Sequence, residues 1–293
     1  MPGDRFSDVR HFESIDSTNR YLLDEARGGA PEGVVAVADY QTAGRGRQGR
    51  SWMAPPGSNL LASVLLRPLL PPPQRPLALA AVALAARDAI HDAIGIALGV
   101  KWPNDLVAPD GRKVAGVLAE ADTDTAVGDE AAQGGGPAIV VGIGINCNWP
   151  TDKDLVADDL VADDLVADDL VADDAVLAGA VSLRQLSGRP VDRARLLTGL
   201  LGHLGSRVDQ LEDPSGRAVL RADLRAATIT LGRLVRVELT DRTIEGTATD
   251  LTDEGHLVVV TAHGPETVVT GDVVHLRERL DVAASEGVEG AQG

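Results

Sequence analysis

From Gly232 onward the sequence changes its period. "GRLVRVEL", "TIEGTATDL", "HLVVVTA", "ETVVTG" and "DVVHLR" alternate apolar and polar residues and are parted by turns such as Asp253-Glu254-Gly255. A period of two puts one face of each run toward a core. Five such runs within roughly 50 residues predict a small β-barrel over 231–280, followed by a frayed tail over 281–293.

The first 230 residues are built differently. Asp16, Ser17, Thr18 and Asn19 are helix N-cap types and Gly28 is a stop, so "DSTNRYLLDEARGG" reads as a helix. "GVVAVADY" (33–40), "NLLASVLLRP" (59–68), "GVKWPNDLV", "KVAGVLAEAD" and "AIVVGIGINCNW" read as strands, several without a polar face. Residues 77–94 have the length and composition of a helix, and 175–187, 192–211 and 216–227 also read as helical. Four tandem copies of D-L-V-A-D fill 154–173. A five-residue period matches neither helix nor strand, so this segment reads as a loosely structured surface insertion.

The formal charge is −17, and nine of the 44 acidic residues lie between 154 and 174. Such a balance disfavours a general nucleic-acid or anionic-membrane binder. The longest apolar stretch, 76–86, is too short to span a bilayer, which needs about 20 residues. A single cysteine, Cys147, excludes an intrachain disulfide and points to the cytoplasm; it reads as a small core residue.

Against this acidity stands one basic loop, Gln41-Thr-Ala-Gly-Arg-Gly-Arg-Gln-Gly-Arg-Ser-Trp52. Its glycines let backbone approach a ligand, and Arg45, Arg47 and Arg50 offer forked donors for phosphate or carboxylate. In an extended stretch Arg45 and Arg47 share a face. A solvated surface loop or a nucleic-acid contact fits the loop equally well in isolation. "KWPND" (101–105) narrows the reading. Lysine occurs three times against 24 arginines, and Lys101 stands at a strand end beside Trp102 and Pro103. Asn104 and Asp105 are oxygen ligands of the kind magnesium takes beside phosphates, or plain turn residues. Lys113, Ala115 and Gly116 lie on a strand that can line a pocket. Asn146 ends another strand, as an adenine-reading amide or as a turn residue.

Together, D-S-T-N, Y-Q-x-A-G-R-G-R-x-G-R-x-W, K-W-P-N-D, G-R-K-V-A-G-V-L-A-E and G-I-G-I-N, spread over 11–150, resemble the biotin protein ligases. The resemblance implies an α+β fold: a mixed-sheet catalytic domain of the biotin/lipoate ligase type over 1–230, carrying the 154–173 insertion, and an SH3-like C-terminal barrel. It implies biotin and ATP with magnesium as substrates, biotinyl-5′-AMP as intermediate, and a lysine of a carboxylase's biotin carboxyl carrier domain as acceptor. Lys101 and Arg47 match the catalytic positions. Ser17, Thr18, Asn19, Gln41, Gly44, Arg45, Arg47, Trp52, Lys101 and Gly116 match biotin-binding ones. Arg45, Arg47, Arg50, Trp52, Asn104, Lys113 and Asn146 match the nucleotide side, Asp105 a metal ligand, and Arg277 a triphosphate contact. D-S-T-N begins at residue 16, so no DNA-binding domain is expected before it. Monomers and homodimers both occur in the family. The rival readings are a lipoate or octanoate ligase and a non-catalytic nucleic-acid-binding regulator.

Overall fold

The computed structural model describes residues 5–121, 136–150 and 179–276. The D-L-V-A-D repeat, the tail over 281–293 and Arg277 lie outside the described residues.

Seven strands form the first sheet: β1 (Val9–Ile15), β2 (Val35–Gln41), β3 (Leu60–Leu66), β4 (Gly99–Lys101), β5 (Asp105–Val107), β6 (Lys113–Ala121) and β7 (Ile139–Ile145). Their order is β1-β2-β3-β7-β6-β5-β4. Only β1 and β2 pair in parallel; every other neighbour is antiparallel. The unbroken apolar runs follow from this arrangement. All of β3 is buried, because Leu65 faces a cluster under helix α1 (Thr18–Arg27) while Leu60, Ala62, Val64 and Leu66 face the main core. A strand covered on both faces has no reason to alternate.

Helix α1 starts where the N-cap residues predict: the Ser17 side chain caps it by accepting the Arg20 N–H. Leu22 and Ala26, four residues apart, bury its inner face. Helix α2 (Leu77–Ile94) matches its expected span and closes on Gly95 in the left-handed region, φ 75°. It is alanine-rich and mostly buried between the sheet and α4 (Arg193–Glu212), which follows the short α3 (Leu183–Ser187). Small side chains allow that close approach; a Cβ placed on Gly199 would meet the Ala89 methyl at 3.6 Å. Helix α5 (Pro214–Ala227) begins at a proline capped by Asp213.

After α5 come β8 (Leu234–Glu238), β9 (Thr243–Leu251), β10 (Leu257–Thr261), β11 (Gly264–Val268) and β12 (Asp272–His275). They form an antiparallel sheet in the order β11-β10-β9-β8-β12, with Val235, Val237, Ile244, Leu257 and Val259 turned inward as the alternation requires.

Three local expectations change. The helix expected over 175–187 is the five-residue α3, since 179–182 are not helical and 175–178 lie outside the described residues. "GVKWPNDLV" is a tight hairpin, not one strand: Lys101 pairs with Asp105, and the chain reverses through Trp102-Pro103-Asn104. The turn reading of Asn104 therefore holds for the backbone. Strand β1 appears where the sequence shows no apolar run; it is an edge strand, partly exposed along its length.

Candidate active site

One cavity of about 1000 Å³ opens between the N-terminus of α1, strands β6 and β7, the β4–β5 hairpin, the arginine-glycine loop and β12. Ser17, Thr18, Asn19, Gln41, Arg45, Arg47, Arg50, Trp52, Lys101, Asn104, Asp105, Lys113, Gly116 and Asn146 all line it. Gly44 sits just behind the wall, where its carbonyl accepts the Trp52 N–H at 3.0 Å.

At one end lies a polar, largely buried group. Both the backbone N–H and the hydroxyl of Thr18 donate to Gln41 Oε1, at 2.8 and 3.0 Å. The Ser63 hydroxyl lies 2.7 Å from Thr18 Oγ1 and 2.6 Å from Asn19 Oδ1. Asn19 packs against bare backbone: a Cβ on Gly142 would fall 2.2 Å from its Oδ1. The Asn19 amide nitrogen donates to Glu120 Oε2 at 2.7 Å.

At the other end the cations gather. Lys101 is half-buried at the hairpin tip and makes no ion pair among the described residues. His275, facing it from β12, has its pKa pushed down to about 4, by burial first and then by the charges of Lys101 and Arg233. The imidazole is therefore neutral near pH 7 and adds no positive charge beside Lys101. Lys113 pairs with Asp105 at 2.8 Å and stands 5.4 Å over the Trp52 ring.

The arginine-glycine loop is not extended. Arg45 bridges Ser51, the Gly46 N–H donates to the Arg50 carbonyl at 2.6 Å, and Arg47–Gly49 forms one 3-10 turn with Gln48 at φ 56°. Arg45 and Arg47 consequently part. Arg45 approaches Glu120 at 3.7 Å. Arg47, mostly buried, donates to Asn104 Oδ1 at 3.3 Å, the Gly271 carbonyl at 3.2 Å and Thr270 Oγ1 at 2.9 Å. Burial pulls its pKa below the ordinary arginine value, against the opposing pull of Asp272 and Asp105. Arg50 pairs with Asp272 at 2.6 Å. Two of the three arginines are thus held by the turn before β12.

Trp52 lies flat on the sheet. A Cβ on Gly144 would fall 2.4 Å from its ring and one on Gly116 3.0 Å. Its buried indole N–H has no acceptor among the described residues. Gly144→Ala is expected to lift the ring at a cost of about 1–3 kcal/mol, read as a lower Tm together with a shifted tryptophan emission.

Asn146 is partly engaged: its Oδ1 accepts from Asn59 and its Nδ2 donates to the Lys113 carbonyl, both at 3.3 Å. One hydrogen and one lone pair remain for a ligand. Cys147 beside it is buried, and burial pushes its thiol up to about 12, so it is inert packing as expected. Asn59, Ser63, Glu120, Gly142, Thr270 and Asp272 were not expected in the site. "GVLAE" ends in a carboxylate on a pocket-lining strand, which was the one available signal for Glu120.

Polar groups at one end of a cavity, with cations at the other, suit a ligase that joins an acid to a nucleotide. Comparison with known proteins narrows that class. Residues 11–133 match the model of the Biotin/lipoate A/B protein ligase family, and 230–276 match that of the Biotin protein ligase C terminal domain. The chain is 36% identical over 269 residues to a biotin--[acetyl-CoA-carboxylase] ligase of Mycobacterium tuberculosis, covering 89% of this chain and 86% of that protein. It is 30% identical to a bifunctional ligase/repressor of Bacillus spizizenii, covering 88% and 71%. The fold matches a biotin protein ligase from Aquifex aeolicus solved with biotin and ATP, with a TM-score of 0.70, 24% identity and coverage of 93% and 100%. The chain belongs to the biotin protein ligase family.

Proposed function

We propose that this chain activates biotin with ATP to biotinyl-5′-AMP and passes the biotinyl group to one lysine of a biotin carboxyl carrier domain. The observation that carries the reading is the division of one cavity between the Thr18–Gln41–Ser63 group and the cations Arg47 and Lys101.

Biotin's ureido ring seats among Thr18, Gln41 and Ser63, with Ser17 and Asn19 at the start of α1. A cyclic urea offers N–H donors and a carbonyl acceptor, and hydroxyl oxygens and an amide N–H₂ answer both. The carboxylate then lies toward Lys101. One of its oxygens attacks the α-phosphorus of ATP, the bond to the β-phosphate bridging oxygen breaks, and pyrophosphate leaves. Two anions must meet in that step. The Lys101 ammonium between them lowers the barrier, in a site whose cost of organisation is met in folding. Trp52, Asn146 and Lys113 serve the nucleoside side, and Arg45, Arg47, Arg50 and Asn104 the phosphates.

Magnesium enters as the nucleotide's counter-ion, spreading phosphate charge. Asp105, 2.8 Å from Lys113 on the cavity wall, is the carboxylate that would hold it. In the second step the acceptor's amine attacks the acyl carbon and AMP leaves. Cys147, a buried free thiol, suits the cytoplasmic location that is part of this proposal. No helix among the described residues is long and apolar enough to cross a membrane.

The test is transfer: incubation with biotin, ATP and an apo carrier domain should add one biotinyl mass to a single lysine, and no mass gain would sink the proposal. Arg47 supplies a sharper case. It joins the loop to Asn104 and to the 270–272 turn, so Arg47→Gly is expected to unlatch the loop and let water and free adenylate exchange. Released biotinyl-AMP should rise about tenfold or more, with biotin scattered over unrelated lysines in bystander protein. Unchanged adenylate retention would show that the loop does not hold the intermediate.

A further inference from the structure

We infer that Glu120 is a positioning residue that sets the hydrogen-bond polarity of the ring-binding end of the cavity; the inference rests on the biotin reading above. Asn19 faces two acceptors on one side, Glu120 Oε2 at 2.7 Å and the Leu118 carbonyl at 3.3 Å. A carboxylate and a carbonyl can only accept, so the amide nitrogen must turn toward them. Oδ1 is then left facing Ser63 at 2.6 Å.

Ser63 has one proton within reach of two oxygens, Asn19 Oδ1 and Thr18 Oγ1. With Oδ1 held as an acceptor, and unable to serve as anything else, the proton goes to Asn19. Thr18 spends its own proton on Gln41 Oε1, which its backbone N–H also binds. The lone pairs of Thr18 Oγ1 therefore stay open for a ligand N–H. Were the Asn19 amide reversed, its nitrogen would donate to Ser63, and the Ser63 proton would swing to Thr18 and occupy one of its two lone pairs, leaving the ring a poorer acceptor there. A carboxylate near the end of β6 thus sets, through three side chains, how well the pocket accepts from a ureido N–H. The other oxygen of Glu120 faces Arg45 of the loop at 3.7 Å, and both line a neighbouring cavity of about 520 Å³ outside the main one.

Glu120→Gln tests this with little change of shape, since glutamine can donate to a reversed Asn19. Pyrophosphate release is measured against biotin and against a cyclic carbamate analogue, in which oxygen replaces one ureido N–H. The expected result is a KM for biotin raised about tenfold with kcat at saturation nearly unchanged, and a preference for biotin over the carbamate that falls by a similar factor. Glu120→Asp, which keeps an acceptor-only group, should restore most of the preference. Unchanged KM and preference, in a wild-type background that turns over biotin, would overturn the role of Glu120 while leaving the ligase reading intact. A fall in kcat and Tm with the preference unmoved would also overturn it, as a general structural effect. A wild type that releases no pyrophosphate with biotin would overturn both.

Discussion

Lys101→Ala lowers biotin-dependent pyrophosphate release by about 10²–10³, the usual cost of removing one preorganised charge from a transition state. The fold does not depend on this side chain. Its backbone pairs with Asp105, the neighbouring Val100 carbonyl is bound by the Ile229 N–H at 2.9 Å, and the ammonium has no ion-pair partner among the described residues. Tm should therefore stay within a degree or two of the wild type, which separates a chemical defect from a folding one. Lys101→Arg should not rescue. The reacting carboxylate and a phosphate oxygen converge on one point, and a compact ammonium reaches both where a planar fork needs more room. Steady-state kinetics with both variants checks this. A Lys101→Ala enzyme with normal kcat would remove Lys101 from the chemistry.

The second large effect is on stability. Trp102→Ala is expected to cost about 3–5 kcal/mol, a fall in Tm on the order of 10 °C. The ring is 5% exposed and joins the two sheets. Its Nε1–H donates to the Gly255 carbonyl at 3.0 Å, and its backbone N–H donates to Thr230 Oγ1, also at 3.0 Å. Truncation leaves a cavity and an unpaired carbonyl where β4 and the C-terminal sheet meet. Trp102→Phe keeps most of the packing and loses the bond, so about 1 kcal/mol is expected. Thermal unfolding of both variants checks the pair of values. Equal losses for Ala and Phe would place the energy in the hydrogen bond and not in the packing. Because Trp102 follows Lys101, the alanine variant should also blunt activity at temperatures where it remains folded.

Much of this architecture can be read from local pattern. Strands β8 and β10 alternate so regularly that their faces are visible residue by residue, while β9 buries Ile244, Ala248 and Leu251 without a strict period of two, and α2 combines alanine content with a glycine at Gly95. Strand β1 was hidden because an edge strand need bury little, and "VRHFESI" carries no apolar run. The hairpin at 99–107 was hidden by its own apolar flanks, which look continuous until Pro103 is seen as the reversal.

The site divides in the same way. Lys101, Arg47 and Thr18 stand in short motifs, and their meeting in one cavity was legible from them. Ser63, Glu120 and Asp272 were not. Ser63 lies 44 residues from Asn19, Glu120 lies 101 from it, and Asp272 lies 222 from Arg50. A hydrogen bond across such separations leaves no periodic trace, because it is set by which strands neighbour one another. The supposed common face of Arg45 and Arg47 failed for a related reason. The loop folds on itself through Gln48 in the left-handed region, and the C-terminal turn then takes Arg47 away.

Biotin-dependent release of pyrophosphate from ATP and magnesium, with lipoate and octanoate run in parallel, tests the central claim most directly. The division of the cavity predicts release with biotin alone. Release with lipoate or octanoate in its place, or with none of the three acids, would contradict the claim.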